Sequence, residues 1–99
     1  MRLSALQKYI LLQCYNRMGF RLDRAGLLKF YGDKRKPRRA LQAKIITRSM
    51  ERLIDDGFLI GYGVRTPRKW FVKEIRLTGD GVRVAKKLLG EQLHLPLKK

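Results

Sequence analysis

The sequence predicts a mainly α domain with a small β-hairpin, an α+β architecture running helix, short strand, helix, helix, hairpin, helix. Three observations predict it. Apolar residues recur every three or four positions over 3–18, 43–54 and 82–89, which is the period of helices buried along one face. Over 58–77 the spacing changes to strand-like alternation broken by a charged turn. Gly19, Gly32, Gly57 and Gly90 fall where the patterns change, at the places a chain stops a helix. A chain of 99 residues with 44% hydrophobic content is the size of one domain able to bury a modest core. The expected organisation is therefore a folded unit over 1–90 and a flexible C-terminal tail over 91–99.

Each element has a local cause. Ser4 followed by Gln7 fits a capping box, and Leu3, Leu6, Ile10, Cys14 and Met18 then share a face of a first helix that stops near Gly19. Phe20 to Leu22 suits a short strand. Asp23 is a good N-cap for a second helix with Leu27, Leu28 and Tyr31 inward and Gly32 as its stop. Proline is favoured in a first helical turn, so the third helix is expected to begin near Pro37 or Arg39 and to run to Gly57. Its residues Ala43, Ile46, Met50, Leu53 and Ile54 fall on one side; Lys44, Thr47, Arg48, Glu51, Arg52 and Asp55 fall on the other.

Phe58, Ile60, Tyr62 and Val64 alternate along a first hairpin strand. The basic turn 65–69 follows, then the β-prone run Trp70 to Leu77, in which Lys73 breaks the alternation of Phe71, Ile75 and Leu77. Trp70, an aromatic at a strand start, is read as core. Thr78 or Asp80 caps a final helix that turns Val82, Ala85, Leu88 and Leu89 inward and Arg83, Lys86 and Lys87 outward, ending at Gly90.

Charge narrows the function. Lys and Arg number 24 against 8 Asp and Glu, a net of +16, and a compact surface so charged repels itself unless a polyanion is its partner. Cys14 is the single cysteine, so no internal disulfide forms and a reducing, cytoplasmic setting is expected. The opening stretch has Arg2 and an apolar run, but Gln7, Lys8 and Gln13 interrupt it at helical spacing; it reads as an amphipathic helix, with no signal peptide and no membrane span expected. The single histidine, His94, supplies neither a metal cluster nor an oriented general base, so no cofactor, no metal and no enzymatic activity are expected. Gly61 with Gly63 and Gly79 with Gly81 lack the third glycine or the lysine of a nucleotide-binding loop.

The run from Ile46 to Ile60, helix and then Gly57 followed by an apolar strand, resembles the recognition helix and wing of winged helix-turn-helix domains, and Leu77-Thr78-Gly79-Asp80-Gly81 resembles the lead-in to the closing helix of MarR-like and PadR-like regulators. The resemblance covers about residues 3 to 90. It implies a winged-helix fold and duplex-DNA binding, with the third helix in the major groove and the wing on backbone or minor groove. The basic loop from Gly32 to Arg39 is longer than the tight turn common in such domains, and the chain lacks the long terminal helices through which MarR-like proteins dimerise, so their dimer is not carried over, while a homodimer of another kind stays open.

The candidate nucleic-acid contacts follow. Lys34, Arg35, Lys36, Arg38 and Arg39 lie at the start of the third helix; Gln42, Lys44, Thr47 and Arg48 lie along it, against base edges or adjacent phosphates; Arg65, Thr66, Arg68 and Lys69 form the tip of the hairpin. In the tail, Gln92, Leu93, Leu95 and Leu97 resemble the hexapeptide by which bacterial replication and repair proteins bind the sliding clamp. The leading reading is a duplex-DNA-binding regulator or replication accessory factor. Two others stand beside it: an RNA- or ribosome-binding winged helix, which suits basic patches on several faces, and an adaptor within a nucleoprotein complex.

Overall fold

The structure, a computed structural model, describes residues 3–32 and 38–97, with backbone alone at Trp70 and over 91–97. Helix α1, Ala5–Tyr15, opens on the expected capping box: the Ser4 hydroxyl accepts from the Gln7 amide at 3.1 Å and the Gln7 side chain accepts from the Ser4 amide at 2.8 Å. Its Leu6, Ile10, Leu11 and Cys14 are buried. The helix ends at Tyr15, short of Gly19, and a 3₁₀ turn Met18–Phe20 with Gly19 at φ 73° breaks the 3.6-residue period. Met18, expected on the buried stripe, is consequently 99% exposed.

Strand β1 is Arg21–Asp23, one residue later than the sequence suggests, and Asp23 then occupies the N-cap of α2, Arg24–Leu27, without a side-chain bond to it. One α turn passes directly into a 3₁₀ turn, Leu28–Phe30. The tighter winding rotates Leu28 outward, against expectation, while Leu27 is fully buried and Gly32 ends the segment at φ 57°.

Helix α3, Arg39–Asp55, buries Ile46, Met50 and Leu53 and stops before Gly57, whose φ of 85° is the left-handed conformation glycine adopts freely. Strands β2, Leu59–Arg65, and β3, Trp70–Leu77, form the hairpin, and β1 pairs antiparallel with β3 on its other side, giving the order β1-β3-β2. The alternating Ile60, Tyr62 and Val64 are the exposed set in β2, and Leu59 is the residue that enters the core. In β3 the irregularity at Lys73 has a physical origin. Tyr62 pairs with Glu74 and Gly63 with Val72, so Lys73 is the extra residue of a β-bulge; the parity changes there, and Val72, Ile75 and Leu77 all reach the core.

Thr78 joins the hairpin to α4, Gly79–Leu97. Its hydroxyl donates to the Gly57 carbonyl at 2.6 Å and accepts from the Gly81 amide at 3.0 Å, tying the end of α3 to the start of α4. Helix α4 packs on α1 with Ala85 and Leu88 buried, and Arg83, Lys86 and Lys87 face outward. It continues through Gly90, where the sequence pattern predicts its end. A lone helical glycine costs about 1 kcal/mol, too little by itself to stop a helix. The backbone of 91–97 is therefore helical, not an extended tail, and the side chains of Gln92, Leu93, Leu95 and Leu97 lie outside the described ones, as does that of Trp70.

Two outcomes check this packing. A Cβ at Gly63 meets the Phe71 carbonyl oxygen at 1.9 Å, whereas one at Gly90 meets nothing within 4 Å. Gly63→Ala is expected to lower stability in chemical denaturation by about 1–3 kcal/mol, as overpacking does, and Gly90→Ala to raise it by about 1 kcal/mol. Burial pushes the Cys14 thiol up from 9.0 to about 12. The folded chain therefore holds a proton that the unfolded chain releases, so stability is expected to fall as pH rises above 9.0, and iodoacetamide at pH 8 is expected to label Cys14 only after denaturant is added.

Candidate nucleic-acid interface

Burial of Ile46, Met50 and Leu53 fixes the rotation of α3 about its axis, and that rotation decides which polar residues reach solvent. Lys44 and Arg48 are exposed on the outward side, and Arg38 and Arg39 are exposed at the N-terminus, where the first turn carries no acidic residue. The helix thus has cations and no carboxylate at its positive dipole end. Asp55 and Asp56 sit at the far end. Gln42 corrects the expectation: it is 4% exposed, because its position on the wheel follows that of Ile46, and it packs with the core side of the helix.

Thr47 is half-buried and committed. Its hydroxyl donates to the Ala43 carbonyl at 2.9 Å and receives the Arg24 guanidinium, which also donates to the Ala43 carbonyl at 3.1 Å. Arg24, at the start of α2, is the functional candidate that the sequence reading missed. An arginine opening a short helix carries no signal by itself; only the fold brings its side chain to the Ala43 carbonyl and the Thr47 hydroxyl of α3. Arg24 is partly buried, so its charge is held against α3 instead of swinging in solvent.

The hairpin tip is a closed turn. The Thr66 amide donates to the Lys69 carbonyl at 2.7 Å, and the Thr66 hydroxyl accepts from the Lys69 amide at 3.0 Å and donates to the Lys69 carbonyl at 2.9 Å. Thr66 is thus a turn-forming residue, and Pro67 and Arg68 stand exposed at the apex. Arg65 is exposed beside them. The Lys69 ammonium lies 5.1 Å from the centre of the Phe71 ring, a cation–π contact that draws it along the hairpin.

These pieces meet. Arg24, Lys44, Arg48 and Lys69, with Ala40, Ala43, Thr47, Glu51 and Phe71, line one groove of about 560 Å³ between α3 and the hairpin. Four cations face one carboxylate there. A second groove, between α1 and α3, balances Arg48 and Arg52 against Glu51 and Asp55, and a third sets Arg17, Arg21 and Lys29 against Asp23 and Glu74. In that third groove Arg21 pairs with Glu74 and stacks 5.1 Å over the Tyr62 ring; Glu74 further raises the guanidinium's affinity for its proton. Of the three, the groove between helix and hairpin has the strongest positive excess. Lys34, Arg35 and Lys36 lie outside the described residues. Among the described residues no group of three or more His, Cys, Asp or Glu is gathered to hold a metal ion, and no helix is long and apolar enough to cross a membrane.

No sequence-family model matches the chain, and no curated protein matches it at a significant level. Solved structures do. The adhesin competence repressor AdcR of Streptococcus pyogenes superposes with a TM-score of 0.66 at 17% identity, covering 94% of this chain and 60% of that one. A mutant of ZitR from Lactococcus lactis in apo form gives 0.64 at 15% identity, covering 92% of this chain and 59% of that one. A mutant MarR from E. coli complexed with operator DNA gives 0.57 at 20% identity, covering 96% of this chain and 61% of that one. The fold is a winged helix. Helices α2 and α3 form its helix-turn-helix, and the β2–β3 hairpin is the wing. The chain spans about 60% of the length of the AdcR structure, so the likeness is to one part of a longer molecule.

The Arg24–Thr47 contact is testable on its own. Thr47→Val removes the shared hydroxyl, and a double-mutant cycle with Arg24→Ala in urea denaturation is expected to give a coupling of about 1 kcal/mol. Additive effects would mean that the two side chains do not share a bond in solution.

Proposed function

We propose that this chain is a duplex-DNA-binding regulator of transcription and that it acts without catalysis. Helix α3 enters the major groove with its N-terminal half leading, so that Lys44 and Arg48 reach base edges or flanking phosphates. Arg38 and Arg39 engage the backbone at the start of the helix. Arg24, held by Thr47, meets the phosphate on the other rim. The wing lays Arg65, Arg68 and Lys69 along the backbone or into the adjoining minor groove.

The observation that carries this reading is the convergence of α2, α3 and wing cations on one groove with a single facing carboxylate. Duplex DNA presents a regular double row of phosphates, which a rigid helix and a projecting hairpin contact together. AdcR is described as a repressor, and the MarR structure holds operator DNA; both share this chain's fold, which supports duplex-DNA binding here.

The test is the salt dependence of fluorescence anisotropy on a labelled duplex. With about five or six phosphates neutralised, log affinity is expected to fall against log salt with a slope of roughly −4 to −6. Lys44→Ala and Arg48→Ala are each expected to flatten that slope by about one unit. A flat response in the native chain would contradict the mechanism. Competition by tRNA at fixed salt separates the RNA-binding alternative, in which tRNA displaces the duplex at equal or lower concentration.

A further inference from the structure

Charge remains when the groove between α3 and the wing has been filled. Five or six neutralised phosphates would leave roughly ten positive charges uncompensated on a chain whose net charge is +16. Part of that excess has a definite place. On α4, Arg83, Lys86 and Lys87 follow the three- and four-residue spacing of one helix face, opposite the buried Ala85 and Leu88, and all three are exposed. Asp80, one turn earlier, pairs with Arg83 and leaves the two lysines unopposed by any acidic residue on the described part of that face.

The face is distinct from the candidate interface, whose lining comes from α2, α3 and the hairpin. Helix α1 packs against both α3 and α4. Helices α3 and α4 pack little on each other, and none of Arg83, Lys86 and Lys87 lines the groove beside α3. Cations on α4 therefore do not reach the phosphates held in the groove beside α3. A second copy of this chain is a poor occupant, because two such faces repel on approach. A phosphodiester backbone is the complementary one.

We propose that the outward face of α4, through Lys86, Lys87 and Arg83, binds the backbone of a second duplex DNA segment, so that one molecule bridges two duplexes. The contact is made to phosphates and is indifferent to sequence, unlike the contact at α3. This inference rests on the reading of the α3–wing groove as a duplex-binding site.

The test uses the full chain and two duplexes of unrelated sequence, one tethered to beads and one labelled in solution. The native chain is expected to carry labelled duplex onto the beads. Lys86→Gln with Lys87→Gln is expected to reduce the labelled duplex recovered at least fivefold, while changing affinity for a single duplex in anisotropy by less than about threefold. Arg17→Gln with Lys29→Gln removes the same charge from another face and is expected to leave recovery near that of the native chain. Lys44→Ala with Arg48→Ala is expected to weaken single-duplex binding and bridging together.

Failure of the native chain to bind one duplex in anisotropy would overturn the reading of the groove. Binding of one duplex without capture of a second would overturn the bridging proposal alone and assign the α4 face to solvent or to an acidic protein. Capture that persists when Lys86 and Lys87 are neutralised would also overturn it, since bridging would then come from association of copies that each hold one duplex. Equal loss in the Arg17 and Lys29 variant would overturn it too, as an effect of net charge alone.

Discussion

The burial of one side of α3 constrains everything at the surface of this protein. Ile46, Met50 and Leu53 are fully or almost fully excluded from water, and each side chain so buried is worth about 1.5–3 kcal/mol relative to exposure. A rotation of the helix by one residue, 100°, would lift them out of the core together. That penalty fixes Lys44 and Arg48 outward and Gln42 inward, without any contribution from the charges themselves. The position of the basic groove is a consequence of apolar packing.

Gathering like charges is unfavourable, and the local structure shows how the cost is contained. Arg24 donates to a carbonyl and a hydroxyl of α3, Lys69 lies over an aromatic face, and Arg21 is paired with Glu74 across the β1–β3 strands. Each contact places a cation against oxygen lone pairs, a ring or a carboxylate instead of against another cation. The tip turn closed by Thr66 keeps Arg68 at the apex. Preorganisation of this kind reduces the side-chain ordering that a bound polyanion would otherwise impose.

The fold was legible because its signals are local. A capping box, left-handed glycines and apolar periodicity lie within a few residues of what they specify, and helix, short strand, helix, helix, hairpin, helix follows from them. The departures share a cause: periodicity ends where winding changes. Met18 and Leu28 lie where an α pattern has become 3₁₀, and Val72 and Ile75 share the core only because Lys73 bulges. Gly90 shows the converse, a local stop signal that the helix runs through, because a glycine's cost of about 1 kcal/mol is small. The exposed cations of the candidate site were legible, since charge on the polar side of a helix needs no partner to identify it. Arg24 and Phe71 were not, because their place in the groove depends on how α2 and the wing lie against α3, which no spacing records.

The most direct test of the central claim, that α2, α3 and the wing present one surface to duplex DNA, is a ¹⁵N chemical-shift titration of the chain with a short duplex at up to one equivalent. The largest shifts are expected together at Arg24, at residues 38–48 and at 66–69. Largest shifts at Arg21, Ile60 and Tyr62 on the exposed face of the sheet, with α3 and the wing tip unmoved, would contradict it.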